Sequence, residues 1–389
     1  MSADKLEAIA HQARRRFGPF LQQRVNPGAT DRDESGTSLS RELLKEAAGI
    51  GLLSYALPRE LGGGGADTLA WGVVLEQVGY VCEDQSLPLL IGVFERVAEE
   101  TYRSGKSHFI DEYARPMATG DRFGAFAYTD GTDPFSFRSR AVKAPGGDYI
   151  LSGEKPIVTG GLIADTFLVY LRNESNDLVV FVVDRNDPGV DVSPIQVSGM
   201  RAAGLASLRL VDVRLPEERL LVASDGLSHA QGFLNSRRVL HACAPLGRMQ
   251  AIFESCIRSL RQTVRYEEPL TDFKNVQAAL GRMHISIETA RSTVYRALEQ
   301  ARQGKSDPLF DPLHSIAKYH VTEQAVQLSL TALRLMGGIG YLKEHSYERY
   351  LRDFTGLIAG AGTQDILEVD LGIAAISRLE EIAEKEERS

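Results

Sequence analysis

Residues 335–353 read LMGGIGYLKEHSYERYLRD, and AGT follows at 361–363. The pair Gly337–Gly338 closes a stripe of Val321, Ala325, Leu328, Ala332 and Leu335, whose spacing marks one face of a helix. On its own, such a glycine pair reads as a helix cap. Two further stripes precede it: Met249, Phe253, Cys256 and Leu260, then Val276, Leu280, Met283, Ile287, Ala290 and Val294. Three long amphipathic helices of this kind imply an antiparallel bundle from about residue 225 to the end.

Upstream the texture changes. Between about Gly124 and Pro216, short β-type runs at Tyr149–Leu151, Thr166–Leu171, Leu178–Val183 and Leu208–Leu215 are separated by turns such as PGGD and RNDPG. This pattern predicts a small antiparallel β domain. Before it, segment 40–56 has helical spacing with Ser40 as a cap. Pro58 and the LGGGG loop at 61–65 interrupt, and a second helical pattern runs from about Asp67 to Tyr80. The expected fold is mainly α with a β domain. An N-terminal helical domain covers 1–122, a middle β domain 123–224 and a C-terminal four-helix bundle 225–389.

Bulk properties narrow the function. Hydrophobic residues make up 43% and charged residues 25%, an ordinary globular composition. A net charge of -8 argues against a general nucleic-acid binder. No apolar run approaches the ~20 residues of a membrane helix, and the N-terminus has no signal-peptide core. A cytoplasmic location is therefore expected. Cys82, Cys243 and Cys256 have no metal-like spacing and read as buried thiols; no HExxH occurs among the histidines. No metal site is expected.

Five stretches in order resemble the acyl-CoA dehydrogenases: GIGLLSYALPRELGGGGAD, AYTD at 127–130, GEKPIVTGG at 153–161, GMRAAGLASLRLVDVRLPEERLL at 199–221, and the 335–363 block. The resemblance implies the three-domain fold above, an FAD cofactor and an acyl thioester substrate carried on CoA or on a carrier protein. It also implies an electron-transfer partner and a homotetramer in which a neighbouring subunit completes the site for the FAD diphosphate. By resemblance, Thr129 and Thr159 sit beside the isoalloxazine. Gln277, Arg334, Gly337 and Gly338 belong to the diphosphate and adenine region, and Thr363 and Asp365 lie near the cofactor. Three departures stand out there. Ile157 replaces the usual Trp. Thr263 falls where an Arg is expected, while Arg334 replaces a Gln. Arg334 either binds diphosphate bidentately or caps its helix.

Dehydrogenation of an acyl thioester needs a base for the α-proton and an acceptor for the β-hydride, which flavin supplies. The family's usual base is a Glu directly before Gly-Thr. Here that position is Ala361. Some members place the Glu on an earlier helix, and the matching position here is Arg237. His241, one turn further on the same helical face, is the candidate for a displaced base titrating near neutral pH. Its alternative is a hydrogen-bonded histidine beside the pocket. Asp365 is a second candidate, and Arg237 itself suits an anionic group or a carbonyl. Three readings stay open: a dehydrogenase with a displaced base, a flavin oxygenase or non-redox rearrangement on the same fold, and a non-catalytic flavoprotein.

Overall fold

The structure, a computed structural model, describes residues 3–131 and 137–387. The N-terminal helices are α1 (Ala3–Phe20), α2 (Arg41–Gly49), α3 (Thr68–Val81) and α4 (Ser86–Arg103). Ser40 caps α2 by accepting from the Leu43 N–H at 3.2 Å, and Asp67 caps α3 by accepting from Ala70 at 2.8 Å. Each side chain satisfies a donor that the first helical turn leaves unpaired.

The middle sheet is built from β1 (Gly124–Ala127), β2 (Arg140–Lys143), β3 (Tyr149–Val158), β4 (Thr166–Arg172), β5 (Leu178–Asp184), β6 (Val190–Pro194), β7 (Ala206–Leu215) and β8 (Leu220–Val222). Its order is β6-β7-β3-β2-β4-β5-β8, with β1 also paired to β4. The expected antiparallel sheet holds for most neighbours. However, β1 runs parallel to β4, with Gly124 opposite Thr166 and Ala127 opposite Val169, and β2 touches β4 in parallel through Arg140 and Arg172. The chain passes through β2 and β3 before reaching β4, so no hairpin forces these pairs to be antiparallel. Strands β4 and β5 are buried on both faces, which is why they read as unbroken apolar runs.

The C-terminal helices are α5 (Gly226–Gln262), α6 (Lys274–Arg302), α7 (Pro312–Met336), α8 (Tyr347–Ala359) and α9 (Gln364–Glu387). Helices α5, α6 and α7 pack on one another, and both α8 and α9 lie against α7. The three sequence stripes point inward, with Phe253, Leu280 and Leu335 only partly buried. One apolar core joins α5–α8 to α1–α4, so the two helical parts of the chain share an interior. All three cysteines are buried and free. On α9, Val369, Ile373, Ile376, Leu379 and Ile382 form an exposed apolar row.

Helices α3 and α5 cross so closely that each needs a glycine. A Cβ on Gly79 would run into the Ala244 carbonyl, and one on Gly247 into the Glu76 carbonyl. Gly79→Ala is expected to destabilise the protein by about 1–3 kcal/mol, the usual cost of overpacking. Gly281→Ala, in the open middle of α6 with no atom within 4 Å of a new Cβ, is expected to stabilise it by about 0.5–1 kcal/mol. Thermal unfolding of the two variants checks the contrast; a Gly79→Ala melting temperature equal to the parent's refutes it.

Candidate active site

The family-like positions lie on a sheet edge and on a helical turn. On the sheet side, β1 runs into Tyr128–Asp130 and β3 into Thr159–Gly160. Lys155 of β3 is fully buried and ties these two segments together. Its Nζ donates to the Tyr128 carbonyl at 3.2 Å and to Asp130 Oδ2 at 2.9 Å, and Asp130 also accepts from the Ser139 N–H. Burial pushes the Lys155 ammonium down to about 8, opposed by Asp130. Burial also works against the Asp130 carboxylate, but Lys155 outweighs it and its pKa falls.

Beyond this tie, the side chains of the sheet edge are open. Thr129 is exposed and Thr159 half-buried, and neither hydroxyl has a hydrogen-bond partner among the described residues. Ile157 is 52% exposed. Gly160 packs on Leu90 and Phe94 of α4, where a Cβ would approach to 3.0 and 3.1 Å.

On the helical side, the turn at 360–363 links α8 to α9. Ala361 has φ +56°, a left-handed conformation unusual for a residue with a side chain. Two cations hold the turn. Lys318 Nζ donates to the Ile358 and Gly362 carbonyls at 3.1 and 2.8 Å and to Gln364 Oε1 at 2.9 Å. Arg238 Nε donates to the Ala361 carbonyl at 3.1 Å. Lys318 thus satisfies a carbonyl that the end of α8 leaves without a helical partner, and both cations satisfy carbonyls of the turn itself. Burial, with Arg238 nearby, pushes Lys318 down to about 7.

His241 faces this turn. Its Nε2 lies 3.5 Å from where a Gly360 Cβ would stand, and it is buried without a partner. The expectation of a group titrating near neutral pH does not hold. Burial pushes the imidazole down to about 3, and the charges of Arg237 and Lys318 push the same way. Nor is Nε2 hydrogen-bonded, as the alternative reading supposed.

Arg237 points elsewhere. Its guanidinium lies against α4 at Gly92 and pairs with Glu95, Nη1 to Oε2 at 3.5 Å. Burial pushes the Glu95 carboxyl up to about 7, against the pull of Arg237.

The remaining expected residues have other surroundings. Arg334 is exposed and has no partner among the described residues. It lies in the last turn of α7, where a cation is favourable, but donates to no carbonyl there; the helix end is closed by the Gly337 N–H donating to Leu333. Gly337 adopts φ +59° and ψ −137°, which glycine alone tolerates well, and no atom lies within 4 Å of a Cβ built on Gly337 or Gly338. Gln277 donates to the Thr271 carbonyl and accepts from Lys274, so its amide is engaged within its own chain. The Thr363 hydroxyl accepts weakly from the Ile366 N–H at 3.4 Å, and Asp365 is exposed. No hydrogen bond or ion pair among the described residues joins Gln277 or Arg334 to the group around Ala361. Two clefts, of about 880 and 540 Å³, lie away from Thr159, Arg237, His241 and Ala361.

Sequence reasoning missed Glu95, Arg238 and Lys318. Each reads as an ordinary charged residue of a helix, with no signal that it is buried. Lys155 was visible only as a letter of the GEKP motif.

The chain belongs to the acyl-CoA dehydrogenase family. It matches the family's N-terminal domain over residues 6–121, the middle domain over 125–213 and the C-terminal domain over 224–375. It is 27% identical to the 3-(aryl)acrylate reductase of Clostridium sporogenes (89% of this chain, 93% of that protein). It is also 27% identical to the mitochondrial isovaleryl-CoA dehydrogenase of Arabidopsis thaliana (91% and 88%). Among solved structures, the prolyl acyl carrier protein oxidase AnaB shares the fold with a TM-score of 0.89 at 24% identity, covering 96% of this chain and 100% of that one.

A half-buried His241 that stays neutral, with its Nε2 shut off from water, has a consequence for stability. Its folded pKa lies below the unfolded value, so the unfolded chain takes up protons first as pH falls. The parent is expected to lose stability progressively as pH drops from about 6.5 towards 3. His241→Leu should flatten that slope. Melting temperatures across this range check it; identical slopes in both proteins would contradict the burial of a neutral imidazole.

Proposed function

We propose that the protein binds FAD and oxidises an acyl thioester carried on CoA or on a carrier protein. The observations that support this most are the open Thr129–Thr159 edge, beside which Gly160 packs on α4, and the cation-held turn at Ala361, which His241 of α5 faces. The residues fit the cofactor. The exposed Ile157 offers an apolar surface, and the unpartnered Thr129 and Thr159 hydroxyls suit the polar edge of an isoalloxazine. Arg334 and the open backbone at Gly337–Gly338 suit a diphosphate. The exposed row on α9 is the face that another copy covers in a homotetramer.

Bound FAD supplies the two-electron acceptor for the β-hydride. The rest falls to the chain's own side chains. Ala361 cannot take a proton, and His241 Nε2 beside Gly360 is the proposed acceptor of the α-proton. The positive charges of Arg237 and Lys318 weaken His241 as a base. The same charges favour negative charge developing on the thioester carbonyl.

Anaerobic flavin bleaching against a panel of acyl thioesters tests the reading. Bleaching is expected, and His241→Ala should slow it by about 10²–10⁴-fold with FAD still bound. Because His241 stays neutral down to about 3, the rate should be level from pH 8 to pH 5. A fall on acidification centred near 7 would instead give the proton to Glu95. The absence of a carboxylate at both Ala361 and Arg237 favours, as a second reading, a flavin oxygenase, a non-redox rearrangement or a non-catalytic flavoprotein. Failure of both the parent and Ala361→Glu to bleach with any thioester would select that reading.

Arg334→Gln is expected to weaken FAD binding by about 1.5–3 kcal/mol, the worth of a hydrogen bond to a charged group. The melting temperature of the apoprotein should not change. Equal FAD affinity, measured by fluorescence titration, would remove Arg334 from the cofactor site.

A further inference from the structure

Arg237 and Glu95 are buried together between α5 and α4, 7% and 5% exposed, and neither is fully partnered. A guanidinium carries five N–H donors. Arg237 makes one hydrogen bond among the described residues, the 3.5 Å contact to Glu95. The indole of Trp71, 1% exposed, lies near enough to favour the charged form of Glu95, yet its Nε1 makes no hydrogen bond of ordinary geometry. His241 Nε2, one turn along α5 from Arg237, is also buried and unpartnered. Buried polar groups are ordinarily satisfied, and a buried ion pair with spare capacity is costly. Here Arg237, Glu95, Trp71 and His241 all keep hydrogen-bonding capacity that the described residues do not use.

Gly92 keeps the pair in place. A Cβ there would collide with the Arg237 guanidinium, so only glycine lets Arg237 lie against α4 beside Glu95. The same helix carries Leu90 and Phe94, on which Gly160 packs. Leu90 and Phe94 leave α4 on the side away from Gly92 and Glu95, so the pair's link to the site is α5, where His241, one turn on from Arg237, faces Gly360.

We infer that the Glu95–Arg237 pair recognises an uncharged polar group on the acyl part of the substrate, a hydroxyl or carboxamide that accepts from the guanidinium and donates to the carboxylate. This rests on the acyl-thioester reading above. A plain hydrocarbon would leave the donors of Arg237 unmet. An ammonium would face Arg237, with the charge of Arg96 acting on the pair as well, and a carboxylate would face Glu95, with Glu99 near it. A neutral group with both a donor and an acceptor meets both partners without either repulsion.

The test is titration calorimetry on the FAD-loaded protein, reduced with dithionite so that no turnover occurs. The ligands are the pantetheine thioesters of butanoic acid, 4-hydroxybutanoic acid, succinamic acid and succinic acid. The parent is expected to bind the hydroxy and carboxamide ligands about tenfold or more tighter than the butanoyl ligand. The double variant Arg237→Leu/Glu95→Leu removes both charges, a change that buried ion pairs often tolerate. It should reverse the order in favour of butanoyl. Equal or tighter butanoyl binding by the parent overturns the inference and leaves the pair as a plug. Tightest binding of the succinyl ligand overturns it in favour of carboxylate recognition. If none of the four binds, the acyl-thioester reading fails and the inference with it. The parent's preference decides the matter even where the double variant does not fold.

Discussion

A buried ammonium without a carboxylate in contact has to be solvated by the chain itself, and Lys318 is solvated by the turn that follows α8. The Ile358 and Gly362 carbonyls and the Gln364 amide oxygen stand in for water. The helix end has carbonyls to spare and the lysine has protons to place, so each satisfies the other. Arg238 adds the Ala361 carbonyl. With three carbonyls fixed, Ala361 is held in a left-handed conformation it would otherwise avoid, and Gly360 is brought against His241.

The opposite wall uses the same device with a different balance. Lys155 also reaches a backbone carbonyl, that of Tyr128, but it has Asp130 beside it. The sheet edge is thus held by a neutral pair, while the helical turn is held by uncompensated cations. That difference sets the electrostatics of the site. Arg237 and Lys318 both depress His241, so the imidazole is a neutral polar group rather than a switch near pH 7. Of the nearby carboxylates, Glu95 is the one whose burial raises it into the physiological range. A site of this kind is better suited to holding negative charge on a substrate than to removing a proton strongly.

The helices, their stripes and the change to β-structure are legible in the sequence because burial on one face leaves a period along the chain. That period alone places Met283, Ile287, Ala290 and Val294 inward, and likewise Val321, Ala325, Leu328 and Ala332, all of which are buried. Ser40 is readable as a cap because capping is local. The parallel pairing of β1 with β4 is not legible. Strand direction in a sheet depends on which strands meet, and no hairpin links these two.

By itself, then, the sequence determined the order of helices and strands, the family and the two missing carboxylates at Ala361 and Arg237. These are properties of letters and spacing along the chain. Only the tertiary structure decided that Glu95 meets Arg237 across Gly92, that Lys318 and Arg238 hold the turn, and that His241 is too buried to titrate near neutrality. The physical reason is that burial and pairing of charge are set by contacts between helices far apart in sequence. A glutamate on a buried helix face carries the same letter as one in water, and its partner lies 142 residues away.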